Sequence, residues 1–94
     1  MSRAFVKDDD HEPEPDFRLP EPDSPYYDEA AAWALIQGAN QGDSRSAEVA
    51  TGYRWGAPAL VEHITRILTK AEGDGEDRIA QLARRFLREA GRNS

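Results

Sequence analysis

Two segments in the C-terminal half carry apolar residues on one helical side, and they leave few folds open. In APALVEHITRILTKAEG, residues Leu60, Ile64, Ile67, Leu68 and Ala71 recur at the i, i+4, i+7, i+8 spacing of an amphipathic helix. In DGEDRIAQLARRFLREAG, the same logic places Ile79, Leu82, Ala83, Phe86 and Leu87 on one stripe. A one-sided helix must bury its apolar face against another element. The short EGDGE connection makes these two helices antiparallel neighbours. Pro58 suits the first turn of the earlier helix. Gly73 is expected to stop it, Asp74 or Gly75 to cap the next, and Gly91 to close that one.

Upstream, SPYYDEAAAWALIQ reads as a helix start. Ser24 is the expected N-cap, Pro25 the first helical residue, and Asp28 and Glu29 complement the N-terminal dipole. Tyr26, Ala30, Trp33 and Ala34, with Leu35 or Ile36, supply its apolar side. Gly38, Asn40 and Gly42 are expected to end it. DSRSAEVATGYRWG offers a shorter helix, capped by Asp43 or Ser44, with Ala47, Val49 and Ala50 as its apolar content. Gly52 and Gly56 weaken its far end. Tyr53 and Trp55 follow, either as an aromatic plug on the core or as a binding platform. The plug is favoured because so small a domain needs every large apolar side chain. No segment shows strand alternation over a useful length. The expected fold is all-α: a small bundle of three or four short helices over residues 24–94.

Residues 1–23 have a different character. Five of the six prolines lie at or before Pro25, and all seven glycines lie at Gly38 or later. Eight acidic and three basic side chains give residues 1–23 a balance of −5, against −1 for ten acidic and nine basic side chains in residues 24–94. A stretch such as HEPEPDFRLPEPDSP is expected to be extended, with polyproline-like character, and disordered when unbound. The chain is thus read as a disordered, acidic, Pro-rich arm (1–23) ahead of a nearly neutral helical domain (24–94). The net charge of −6 disfavours direct nucleic-acid binding, which needs a net basic face. No apolar run approaches the ~20 residues of a membrane span, and no secretory h-region is present. With no cysteine there is no disulfide, and a cytoplasmic setting is the simplest expectation.

Catalytic constellations are thin. His11 and His63 are the only histidines, without Glu-x-x-His or i+4 histidine partners, so no metal or other cofactor is expected. Serines fall mostly at cap or terminal positions. The glycine-containing GANQGD and EGDGED lack the lysine and Ser/Thr of a phosphate loop. Asp43 and Glu48 form an acidic pair that an alternative reading makes metal-binding; capping and dipole compensation are the simpler one. Arg85, Arg88 and Arg92 share one side of the last helix, beside Arg84. They form a solvated face, or a docking face for an acidic partner or for the chain's own acidic arm.

MSRAFVKDDD, followed by an acidic proline-containing stretch, LPEP and SPYY, resembles the N-terminal extension of some bacterial Gre-type transcription elongation factors. The likeness covers residues 1–27 and is most specific in SRAFVK. A weaker likeness joins GDSRSAEVATGYRWGAPALVEHITRILTKAE to the family's coiled-coil tip. Gly42-Asp43, Ala47-Glu48, a tyrosine and an amphipathic helix follow in similar order. The family's Glu-Asn step has no counterpart, since Ser44, Arg45 and Ser46 stand there. The helix before the turn is short for a coiled-coil arm, and an FKBP-like module is not expected in these residues. The resemblance implies either a reduced, non-cleaving relative that binds RNA polymerase, or a shared leader on an unrelated helical domain. It also implies the alternative of transcript cleavage through a metal held at Asp43 and Glu48.

The functional expectation is a non-enzymatic, helical protein-interaction module, with RNA polymerase as a protein partner by resemblance. Its binding residues are expected to be Phe5, Val6, Lys7, Asp8, Asp9, Phe17 and Leu19 in the arm, and Tyr53 and Trp55 in the body. Amphipathic helices on this scale also leave a homodimer open.

Overall fold

A computed structural model describes residues 19–93. Four helices follow one another: α1 Tyr27–Asn40, α2 Ser44–Thr51, α3 Val61–Asp74 and α4 Asp77–Asn93. A 3-10 turn, Pro58–Leu60, runs into α3. The domain is an all-α bundle with no strand among the described residues. None of these helices is long and apolar enough to cross a membrane.

The core assembles Ala31, Ala32, Leu35 and Ile36 of α1 with Ala47, Leu60, Ile64, Ile67, Leu82, Ala83 and Phe86. The stripes expected on α3 and α4 are therefore the faces that pack. α3 and α4 share the largest interface, and α1 touches all three other helices. Alanine makes this central position workable. Ala31, Ala32 and Ala34 are buried beside Leu35 and Ile36, so neighbouring backbones come close on several sides of α1.

Several boundaries differ from expectation. α1 begins at Tyr27, and its N-cap is Tyr26, not Ser24. Ser24 instead supports the turn ahead of the helix: its Oγ accepts the Tyr26 N–H at 3.1 Å, and its carbonyl accepts the Tyr27 N–H at 3.1 Å. Tyr26 is 69% exposed, and Tyr27 takes the inward place against the core. Gly38 does not end α1 but lies buried inside it, where a Cβ would stand 2.7 Å from Ala47 Cβ and 3.0 Å from the Asp43 carbonyl oxygen. On α2, Val49 is 74% exposed and Ala50 is exposed, so Ala47 carries the apolar burial.

α3 runs through Gly73 and ends at Gly75, whose left-handed backbone (φ +75°) lets the Glu76 N–H reach the Ala71 carbonyl at 2.9 Å. Gly75 thus closes α3 rather than capping α4. Gly91 does not close α4, which continues to Asn93. Leu19 is half-buried and packs against the core.

Candidate functional site

Polar side chains from two helices hold the loop after α2. Gly52 N–H returns to the Glu48 carbonyl at 2.9 Å and closes α2. Thr51, the one buried polar residue among the described residues, donates its hydroxyl to the Ala47 carbonyl at 2.8 Å and accepts the Tyr53 N–H at 3.1 Å. The Tyr27 hydroxyl donates to the Thr51 carbonyl at 2.9 Å, and the Tyr53 hydroxyl donates to Asp28 Oδ1 at 2.7 Å. The hydrogen bond to the Asp28 carboxylate, aided by burial and by its negative charge, raises the Tyr53 phenol above its ordinary pKa. These bonds tie the loop to α1.

Trp55 is fixed from the other side. Its backbone N–H donates to Glu48 Oε2 at 2.8 Å. Its ring meets Phe86 edge-on, with centroids 4.9 Å apart at 68°, a favoured aromatic geometry. Trp55 is half-buried, with its inner edge on the core. Tyr53 and Trp55 thus fit the expected plug, yet Trp55 also forms a surface.

Two adjoining depressions share Trp55 and Arg85. One is lined by Trp55, Arg85, Arg88, Glu89 and Arg92. The other adds Ala39, Ser44, Arg78 and Leu82. Arg78, Gln81, Arg85, Arg88 and Arg92 follow at spacings of three and four along α4, which puts them on one face. All are exposed. Among the described residues, Arg78 donates to neutral oxygens, Asn40 Oδ1 and Gln81 Oε1, both at 3.3 Å. The ion pairs among the described residues lie elsewhere: Lys70–Asp74 at 3.1 Å and Arg84–Glu72 at 2.8 Å. Arg84 therefore leaves the expected basic patch and bridges α4 to α3. Arg85, Arg88 and Arg92 remain together, with Glu89 as the carboxylate beside them.

Such a strip can bind anions. Planar guanidinium groups grip carboxylates bidentately, and the indole offers an apolar wall. Arg78 was absent from the expected patch, although its spacing of seven from Arg85 and fourteen from Arg92 signals it.

The acidic candidates have structural partners. Asp43 caps α2, accepting the Ser46 N–H on Oδ1 at 3.2 Å and the Ser46 hydroxyl on Oδ2 at 2.8 Å. Glu48 holds Trp55. No group of three or more His, Cys, Asp or Glu among the described residues stands together to hold a metal ion. A smaller depression between α1 and α3 is lined by Glu29, Trp33, His63, Arg66, Ile67 and Lys70. His63 Nδ1 is buried there without a hydrogen-bond partner among the described residues. Of the expected arm contacts, Leu19 packs on the chain's own core, while Phe5, Val6, Lys7, Asp8, Asp9 and Phe17 lie outside the described residues, as does the expected disorder around them.

No protein-family model matches the chain, and neither does any curated protein or solved structure.

Proposed function

We propose that this chain is a non-enzymatic protein-interaction module with two contact elements. One is the groove formed by Trp55, Arg85, Arg88 and Arg92 on the helical body, which receives an acidic protein segment. The other is the arm, residues 1–23, which offers Phe5 and Val6 as apolar anchors and carboxylates that steer it toward a basic surface. The observation that carries this reading is the contrast within one small domain. Asp43, Glu48 and Tyr53 each hold a hydrogen bond of the fold, whereas three clustered arginines around a half-buried tryptophan hold no ion pair among the described residues.

Bacterial RNA polymerase is the candidate partner, on the resemblance of residues 1–27 to Gre-type leaders. The test is binding of purified polymerase core to the labelled full chain, followed by anisotropy. Phe5→Ala with Val6→Ala is expected to weaken binding at least tenfold while helicity is unchanged. Equal binding by that variant refutes the arm's role, and no binding by the wild type removes polymerase as the partner. In the same preparation, a stalled elongation complex is expected to keep its transcript length. Shortening that depends on Asp43 and Glu48 would establish the cleavage reading instead.

A further inference from the structure

We infer that the groove on α4 is occupied in the free protein by the chain's own acidic stretch, residues 8–16, so that the arm and an outside acidic segment compete for it. This rests on the groove reading above and adds its regulation. Residues 8–16 read DDDHEPEPD, with six carboxylates and no lysine or arginine. Among the described residues, the groove's lining holds Arg78, Arg85, Arg88 and Arg92, with Glu89 as its one carboxylate and Glu48 engaged by the Trp55 N–H.

Dimensions agree as well as charges. At the ~3.1 Å rise of an extended proline-rich segment, residues 8–16 span about 25 Å. At ~1.5 Å per residue, Arg78 to Arg92 covers about 21 Å. Glu12, Glu14 and Asp16 then repeat every ~6 Å, close to the ~4.5 and ~6 Å axial steps from Arg85 to Arg88 and on to Arg92. Pro13 and Pro15 lie between those carboxylates. Proline rings on an extended backbone pack against aromatic side chains, and Trp55 is the aromatic wall of the groove.

Leu19 packs on the core, so the arm is tethered to the body three residues after Asp16. Arginines at i, i+3 and i+4 repel one another on a helix, and threading carboxylates between them relieves that repulsion. A tethered segment acts at an effective concentration in the millimolar range, so weak contacts suffice to fill the groove.

The test uses the full chain and a synthetic peptide, DDDHEPEPD, as the competing probe. Glu12→Gln, Glu14→Gln and Asp16→Asn together neutralise part of the arm. That variant is expected to bind the peptide about tenfold more tightly than wild type, because the internal competitor is weakened. The Trp55 indole and the Arg85, Arg88 and Arg92 side-chain NMR signals are expected to shift between the two proteins. The wild-type signals should be unchanged across a hundredfold dilution. Equal peptide affinity in both proteins, with unshifted signals, overturns the inference while leaving the groove intact. Peptide binding to neither protein overturns the inference and the groove reading together. Signals that move on dilution overturn self-occupancy in favour of a second copy's arm. Loss of peptide binding in Arg85→Gln, Arg88→Gln, Arg92→Gln confirms where the peptide sits, and retained binding overturns the assignment.

Discussion

Replacing Gly38 by alanine separates helix propensity from packing. In an open helix the change stabilises by ~0.8–1 kcal/mol. At Gly38 the new Cβ would meet Ala47 Cβ at 2.7 Å and the Asp43 carbonyl oxygen at 3.0 Å, against ~3.5–4.0 Å for comfortable carbon contact. Neither atom can rotate aside: one is a Cβ and the other is backbone. α2 must therefore move outward by up to about 1 Å, and with two unyielding contacts the overpacking strain falls in the upper part of the usual range, about 2–3 kcal/mol. The net expectation is a loss of about 1–2 kcal/mol after the propensity gain is subtracted. For about 75 residues, total stability is of order 4–11 kcal/mol, and each kcal/mol moves Tm by about 4–8 °C. Gly38→Ala should thus lower Tm by roughly 5–15 °C. Gly73→Ala is the control: also inside a helix, it meets nothing within 4 Å. It should raise stability by about 0.5–1 kcal/mol. Thermal melts followed by circular dichroism decide the matter. A Gly38→Ala protein as stable as wild type refutes the close-approach argument.

The loop after α2 supports two further predictions. Tyr53→Phe removes the hydrogen bond to Asp28 and should cost about 1 kcal/mol in urea denaturation. Because the folded phenol titrates above the unfolded value near 10, its contribution is full below that pH and is lost as pH rises through the folded pKa. Wild-type stability should therefore fall in that alkaline window, and the phenylalanine variant should lack this component. Glu48→Ala leaves the Trp55 N–H without its carboxylate and should cost about 1–2 kcal/mol, with red-shifted tryptophan emission. Unchanged emission would mean that Phe86 alone holds the indole.

Periodicity made the bundle legible. The stripes from Leu60 to Ala71 and from Ile79 to Leu87 needed only helical spacing, and they are the faces that pack. Glycine roles were less legible, because the letter is the same whether glycine ends a helix, as Gly75 does, or lets two helices touch, as Gly38 does. Only the neighbour across the interface separates those cases. Tyr26 and Tyr27 illustrate the same limit: a one-residue difference in where the helix begins decides which ring turns inward. The groove was half legible. Clustered arginines were visible in the sequence, and Arg78 shares their helical spacing, but the departure of Arg84 to Glu72 and the place of Trp55 among the others depend on tertiary placement.

The double duty of Trp55 bears on how this surface can diversify. Its inner edge rests on Phe86 and its backbone on Glu48, so exchanging the indole disturbs the core and the groove at once. The arginines around it are exposed and cost the fold little when changed. Mutation can therefore re-letter the rim, from basic to neutral or acidic, while the floor stays fixed. A lineage carrying this scaffold could switch the charge of its partner in a few exposed steps, without crossing a valley of unfolded intermediates.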